Sequence, residues 1–405
     1  MLTVEEAQAQ LLAEIVALAT EEAPLADTLD RVLARDVFAD SDLPPFTNSA
    51  MDGYAVRAAD TYGASAGAPR RLPVVGEIAA GDPGQDPLPE GAAMRIMTGA
   101  PVPPGADAVI QVELTRPLEY GVELLAEVPV GASVRRAGGD VARGQRMLVA
   151  GTILHPGEMG LLAAEGFARV PVYRRPRVAI LSTGDELVDV DQIPGPGQIR
   201  NSNATMLAAQ VRRAGAEPID LGVARDTREA VHAALDAGRA CDIFISSGGV
   251  SVGVYDVVKS VLEERGGIQF WRVNMRPGKP VAFGRVDGVP FLGLPGNAVS
   301  SFVTFELFAR PVLRKLAGHR LLFRQVVPVT MDQAIPGFQE RRHFVRTLVR
   351  WTEDGWHATP IGEQGSHLLT STLAVNALVI VPEGSQGPEA GERAMALLLD
   401  WPESK

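Results

Sequence analysis

The sequence predicts an α/β plus β protein, with a central doubly wound α/β domain flanked by β-rich parts, and three observations carry that prediction. After "RRPR", apolar runs of strand length alternate with amphipathic helical stretches, the texture of a parallel sheet between helices. Before it, to about Ala168, short β-like runs are broken by Gly and Pro and carry no helical period of useful length. The 42 glycines and 30 prolines are spread along 405 residues rather than gathered in one tract, which suits many short strands and tight turns.

In chain order, Thr3 followed by Glu6 fits a capping box and opens a helix expected to run to about Ala19. From about Asp30 to Arg57 the chain reads as extended and punctuated, and one or two small β-rich domains follow. The Arg174–Arg177 cluster, broken by Pro176 and without interleaved aromatics, reads as a solvated linker. Then come a strand in "VAILSTGDE", a helix in "SNATMLAAQVRRAGA", a strand in "EPIDLGVARD" and a helix in "TREAVHAALDAGRA". The strand "CDIFI" runs into the loop "SSGGVSVG", and "YDVVKSVLEERG" reads as a helix. Strands follow through "IQFWRVNMRPGKPVAFGRVDGVPFLGLPGN", then one helix in "AVSSFVTFELFARPVLRKLAG". From about Leu321 the chain is β again.

Composition narrows the function. A formal charge of −11 argues against coating nucleic acid, which needs clustered cations, while leaving room for a small anion held locally. The single cysteine, Cys241, allows no intrachain disulfide and no zinc site built from several thiolates. The acidic start "MLTVEEAQAQ" shows no secretory signal and no apolar run approaches bilayer length, so a cytoplasmic protein without membrane attachment is expected.

In an open parallel sheet, ligands bind beyond the carboxyl ends of the strands. Those ends here deliver Ser182–Glu186, then Arg225 and Asp226, then Ser246–Gly253 with Asp256 after it. Later come Arg276–Lys279 and Leu294–Asn297. The small residues Ser247, Gly248, Gly249, Ser251 and Gly253 would let backbone and hydroxyls close on a phosphate, or would simply make a plain turn between strand and helix. Glu186, Asp226 and Asp256 are expected to converge beside that cradle, where a hard divalent cation would bridge carboxylate to phosphate. Helix capping is the alternative for Asp256 and Asp185. Arg276 and Lys279, on a bend stiffened by Pro277 and Pro280, suit a compact tetrahedral oxyanion or a hairpin with solvated charges. Asp52 in "NSAMDGYAV" and Thr98 in "RIMTGAPVP" are polar islands that alone would read as turns. The six histidines show no metal spacing, and only His367, beside Ser366, falls near a plausible site. No nucleophile-elbow motif is present.

Taken together, the ordered segments "PPFTNSAMDGYAVR", "RIMTGAPVPPGADAV", "LSTGDEL", "SSGGVSVG", "RPGKP", "GLPGN" and "VPEG" resemble the molybdopterin molybdenumtransferase (MoeA) family, kin of the gephyrin C-terminal domain, almost end to end. The resemblance implies an elongated subunit in four parts. These are a connecting domain of residues 1–49 and 141–170, a β-rich insertion of 50–140, a MogA-like molybdopterin-binding α/β domain of 171–318, and a C-terminal β-barrel of 319–405. It implies a homodimer with a shared active cleft, a molybdopterin adenylyltransferase as upstream partner, and insertion of molybdate into adenylylated molybdopterin with release of AMP, assisted by Mg²⁺. Asp52, Thr98, Glu186, Asp226 and Asp256 fall on the family's catalytic positions, with Glu186, Asp226 and Asp256 as metal ligands. Asp52 and Thr98 would complete the partner subunit's cleft. Arg276, Lys279, Ser300, Arg346 and Ser371 fall on the molybdate-binding positions, and Pro295, Gly296 and Asn297 shape the adjacent substrate loop.

The chain also departs from the pattern. Arg272 and Arg276 stand where many relatives carry lysine, Ala298 follows "PGN" in place of proline, and Val254 precedes Tyr255 in place of an acidic residue. Two other functions fit parts of the chain: adenylation of molybdopterin by the α/β domain, and a gephyrin-like scaffold. The motifs around Asp52 and Thr98, absent from the simpler adenylyltransferase fold, weigh against the first, and the lack of obvious partner domains weighs against the second.

Overall fold

The computed structural model describes residues 1–248, 257–337 and 340–401. The chain forms two compact units, one of Met1–Glu22, Asp30–Ala34 and Pro171–Lys405, the other of Ala23–Leu29 and Arg35–Val170.

The first unit opens on helix α1 (Val4–Ala13), whose capping box forms as expected: the Thr3 hydroxyl accepts from the Glu6 amide at 3.1 Å, and the Glu6 carboxylate accepts from the Thr3 amide at 2.8 Å. The helix stops at Ala13 rather than continuing to Ala19. Ile15 turns into the core, and the Leu18 amide donates to the Leu316 carbonyl at 2.8 Å, so tertiary contacts take the groups a longer helix would have used.

The sheet that follows contains β1 (Arg177–Thr183), β2 (Glu217–Ala224), β3 (Ile243–Ser247), β4 (Gln269–Arg272), β5 (Pro280–Val286) and β6 (Val289–Leu294), in the order β2-β1-β3-β6-β5-β4. The pairs β1/β2, β1/β3 and β3/β6 are parallel, whereas β5 and β4 extend the sheet as antiparallel neighbours. The sheet is therefore mixed, not wholly parallel. Helix α2 (Ser202–Arg213) lies on one face with α1, sharing a core with Val178, Ile245 and Leu292. Helices α3 (Arg228–Ala237) and α4 (Val257–Arg265) cover the other, against Leu181, Phe244 and Phe291. Fully burying residues such as Ile245 and Leu292 contributes about 2 kcal/mol each. The order reverses between β1 and β3, so their carboxyl ends flank a crevice.

The single helix expected after "PGN" is instead α5 (Ala298–Thr304), a π-helical stretch (Phe305–Ala309) and α6 (Arg310–Leu316). Pro311 is the physical cause: it has no amide to give Leu307, and its ring would strike that carbonyl in a regular α-turn. The Leu307 carbonyl accepts from Gln8 Nε2 at 2.8 Å instead.

The rest of this unit is a closed five-stranded barrel. Strands β7 (Val326–Met331), β8 (Arg342–Thr352), β9 (Gly355–Pro360), β10 (Ala377–Val381) and β11 (Arg393–Leu398) run in the order β8-β9-β7-β11-β10, and β10 pairs back to β8. Closure leaves no ladder edge within the ring. The short strand Met275–Arg276 adds to the start of β8, placing Arg276 opposite His343.

The second unit is built from short β elements. A three-stranded sheet joins Ser65–Leu72, Gly121–Ala126 and Thr115–Leu118, and a four-stranded sheet runs Val74–Ile78, Ala93–Ile96, Gly53–Val56, Ala108–Gln111. Leu72, Val122 and Leu124 pack one core, and Ile78, Met94, Ile96 and Val109 another. The region was expected to hold no helix, yet Pro156–Ala164 forms one, with Pro156 at its first position and Glu158 accepting from the His155 amide at 3.0 Å. Its sequence "PGEMGLLAA" has a weak apolar face, so the start signals were more informative than the period.

Candidate functional site

A cavity of about 770 Å³ opens in the first unit at the carboxyl ends of β1 and β3. That is a ligand-sized volume at the place a parallel sheet offers one. Thr183, Glu186, Ser247 and Gly248 form its strand-end wall, Arg276–Pro280 and Pro295–Ala298 two loops, and Ser300 the start of α5. Arg341 leads into the barrel strand β8, and Ser366, His367 and Leu369 come from the loop between β9 and β10. Among the described residues, four cations (Arg200, Arg276, Lys279 and Arg341) face it against one carboxylate, Glu186, in a chain of net charge −11. Such a wall selects anions.

The bend carrying Arg276 and Lys279 is closed by the Val273 amide donating to the Lys279 carbonyl at 2.9 Å. Gly278 must be glycine: its φ is +101°, and an added Cβ would sit 2.3 Å from Thr304 Cγ2. Behind this bend lies Arg346 on β8, fully buried. Its Nη2 donates to the carbonyls of Glu363 (3.2 Å) and Gly365 (3.4 Å), while Nε and Nη1 have no acceptor and no carboxylate pairs with it among the described residues. Burial, reinforced by the like charge of Arg276, lowers its pKa to about 10. His343, buried between the same two arginines, is pushed down to about 4 by burial, then by Arg276 and Arg346, and is neutral at pH 7. Arg174, expected to be solvated, pairs instead with Asp242 through two hydrogen bonds of 2.5 and 3.0 Å.

Of the expected carboxylates Glu186 lines the cavity, while Asp226 does not line it but lies close enough to Glu186 and Asp185 to feel their charge. Glu186 follows Gly184, whose φ of +144° brings its backbone so near that a Cβ would fall 2.4 Å from Glu186 Oε2. Partial desolvation, then the charges of Asp185 and Glu186, raise the carboxyl of Asp226 above its ordinary value. Among the described residues no three His, Cys, Asp or Glu side chains converge tightly enough to hold a metal. The donors present nevertheless suit a hard divalent cation: crowded carboxylates whose repulsion a cation relieves, in the one-or-two-carboxylate number that Mg²⁺ accepts alongside phosphate oxygens.

Several expected site residues have different surroundings. Gly249, Ser251, Gly253 and Asp256 lie outside the described residues. Gly248 lines the cavity, but its amide donates to the Leu294 carbonyl at 3.1 Å and is not available to a ligand. Ser371 is buried with its hydroxyl donating to Leu368 at 2.5 Å, and it does not line the cavity. Asp52 and Thr98 belong to the second unit. There the antiparallel register of Gly53 with Ile96 brings the two together, and Thr98 donates to Asp52 Oδ1 through its amide and its hydroxyl, both at 2.7 Å. Those two bonds, amide first, hold the Asp52 carboxyl below the usual range.

Sequence reasoning missed Asn203 and Arg341. Asn203 Nδ2 donates to Ser247 Oγ at 2.7 Å and to the Gly296 carbonyl at 2.6 Å, tying the end of β3 to the "PGN" loop. Its place in the first turn of α2, after the Asn201 cap, was the available signal. Arg341 sits beside Arg342 in a run of charges that reads as solvated surface.

Comparison with known proteins agrees across the chain. Residues 2–166 match the model described as "MoeA N-terminal region (domain I and II)", residues 179–315 "Probable molybdopterin binding domain", and residues 328–399 "MoeA C-terminal region (domain IV)". A molybdopterin molybdenumtransferase of Bacillus subtilis is 38% identical over 395 residues, 95% of this chain and 92% of that protein. Molybdopterin molybdenumtransferase 2 of Mycobacterium tuberculosis is 42% identical over 369 residues, 89% of this chain and 90% of that one. The crystal structure of a molybdopterin biosynthesis moeA protein from Pyrococcus horikoshii superposes with a TM-score of 0.82 at 32% identity, covering 98% of this chain and all of that one.

Proposed function

We propose a function from one premise: this chain belongs to the molybdopterin molybdenumtransferase family. It inserts molybdate into adenylylated molybdopterin, the last step of molybdenum-cofactor synthesis, and AMP leaves in that step. The observation that carries this reading is Arg346, a fully buried guanidinium that has no carboxylate partner among the described residues, set behind Arg276 at a cavity whose described wall holds four cations and one carboxylate. A buried unpaired charge is costly, and a compact doubly charged oxyanion would compensate it.

In this reading the cavity holds two anions. Arg276 and Lys279 donate to molybdate from the bend, Ser300 offers a hydroxyl beside them, and Arg346 supplies positive potential from behind. Ser247, the Gly248 backbone and the Pro295–Asn297 loop form the wall along which the phosphorylated pterin lies, held in register by Asn203. Glu186 and Asp226 would hold Mg²⁺, with Asp256 as the third carboxylate the resemblance implies. Bound there, the ion would polarise the phosphoanhydride and neutralise charge on the departing AMP. Asp52 and Thr98 complete the partner's cleft in a cytoplasmic homodimer that receives its substrate from a molybdopterin adenylyltransferase. Among the described residues no helix is long and apolar enough to cross a membrane.

The test is AMP release from adenylylated molybdopterin with Mg²⁺, measured with and without molybdate. Release that depends on molybdate is expected. Tight binding of the substrate with no release under either condition would overturn the reading.

A further inference from the structure

Outside the cavity, a second cluster of cations lies where α6 meets the connection to the barrel. Glu306, Arg310 and Arg314 follow at four-residue spacing along the π-helical stretch and α6. The connecting segment wraps over them: Arg310 Nη1 donates to the Leu322 carbonyl at 3.1 Å and Arg314 Nε to the Leu321 carbonyl at 2.9 Å. The same segment brings in Arg324, whose Nε pairs with Glu306 Oε2 at 3.1 Å while Gln210 holds the other carboxylate oxygen. Arg314 Nη2 reaches His319 Nδ1 at 3.1 Å, and His319 is neutral, its pKa pushed to about 4 by burial and then by Arg314 and Arg310.

The charges do not balance. Among the described residues, three guanidinium groups gather around one partnered carboxylate, Glu306, a second carboxylate, Asp30, that acts on Arg314, and a neutral imidazole. Arg310 Nε is buried without an acceptor among the described residues. Burial, then the like charges of Arg324 and Arg314, lower the Arg310 pKa to about 10, so the excess positive potential is felt within the cluster itself. Arg213, itself paired with Asp400 at 2.8 Å, adds to it from α2, and Asp30 acts on Arg314 in the opposite sense. Backbone carbonyls account for one bond from Arg310 and one from Arg314, and neutral acceptors leave the net charge uncompensated.

We propose that Arg310, Arg314 and Arg324 form an anion-binding site, separate from the cavity, for a compact tetrahedral oxyanion of the phosphate class. Three guanidinium groups supply the charge and the hydrogen-bond donors that such an ion takes up. Its place on the segment joining the α/β sheet to the barrel means that occupancy would tighten that connection. Inorganic phosphate and the phosphate group of a nucleotide share this chemistry.

The test titrates the full-length chain with inorganic phosphate by calorimetry, in wild type and in Arg276→Gln, which weakens any binding in the cavity. One saturable phosphate site is expected to survive in Arg276→Gln, and to weaken about tenfold or more when Arg314→Gln is added. Arg324→Lys preserves the charge facing Glu306 and so guards against misfolding, and it should weaken the same site by several-fold. Repeating the titration with AMP separates the sources: competition for the surviving site assigns it to phosphate monoesters, and its absence to the free ion. The site is disproved if Arg276→Gln removes all saturable phosphate binding. It is equally disproved if the surviving site is indifferent to both Arg314→Gln and Arg324→Lys.

Discussion

The two ends of the cavity handle charge in opposite ways. At the strand-end side lies Glu186, and partial desolvation, then the charges of Asp185 and Glu186, raise the carboxyl of the neighbouring Asp226. At the barrel side, Arg346 is buried and carries its charge among backbone carbonyls, with Arg276 near enough to lower its pKa to about 10. Among the described residues Arg346 has no carboxylate partner, although Glu186 lines the same cavity. Had Arg346 found a carboxylate, the fold would be steadier and the site would have no preference for a doubly charged guest.

The sharpest way to break this comparison is Arg346→Met. Molybdate-dependent AMP release should fall about 10²–10³-fold, the usual cost of losing a preorganised charge. Stability should rise, not fall. A pKa lowered from 12.5 to about 10 means that the folded state disfavours the cation by about 3 kcal/mol, against about 1 kcal/mol for each of two hydrogen bonds lost. Calorimetry should therefore show a higher Tm in a nearly inactive variant. A lower Tm would make Arg346 a structural brace.

The carboxylate end predicts the opposite ligand. Asp226→Asn should cut Mg²⁺-supported activity about 10²-fold and abolish the thermal stabilisation that Mg²⁺ gives the wild type. The sign of the pH effect follows from the raised carboxyl. The unfolded chain ionises first, so metal-free protein loses stability as pH rises from the ordinary Asp value through the folded one. Mg²⁺ should flatten that loss, and unfolding curves in EDTA and in Mg²⁺ compare the two directly.

Two histidines among the cations, His343 beside the cavity and His319 in the separate cluster with Arg314, titrate the other way. Both, held near 4 by burial and neighbouring arginines, bind fewer protons when folded than when unfolded below pH 6.5. Stability is unaffected above 6.5 and drains away between 6.5 and 4, by about 3 kcal/mol for each residue. His343→Asn should remove roughly half of that acid limb, visible in urea midpoints from pH 7 to 4.

How much of this was legible in the sequence depended on whether the signal was local. The alternation of strand and helix from Arg177 to Leu316, the capping box at Thr3, and the loops after β1 and β6 are written in neighbouring residues, and the structure has them. The end of α1, the π-helical stretch and the helix Pro156–Ala164 differ from expectation, because a distant carbonyl takes the groups past α1, Pro311 acts four residues back, and the start signals at Pro156 and Glu158 outweigh a weak apolar face. At the site, Arg276 and Lys279 announced themselves by their bend, and the ordered motifs pointed to Arg346. Its burial without a partner could not be seen in "RHFVR", where it looks like any strand arginine. Nor could Asn203, which acts only because Ser247 and Gly296, dozens of residues later, come within reach of one amide group.

The smallest expected effect concerns a third carboxylate, one that has been given donors rather than rivals. Asp52 accepts from the Thr98 amide and hydroxyl on the same oxygen, and its carboxyl is lowered where that of Asp226 is raised. Thr98→Val keeps the backbone bond and removes the hydroxyl, the lesser of the two causes. The Asp52 carboxyl should therefore move only part of the way back toward its ordinary value on an NMR titration, with little change in Tm. A full return would show that the hydroxyl also positions the amide bond. A lowered carboxyl stays ionised across the working pH range, so Asp52 keeps its charge without the help of a metal. Glu186 and Asp226, which have no such donors, are the carboxylates whose behaviour should depend on one.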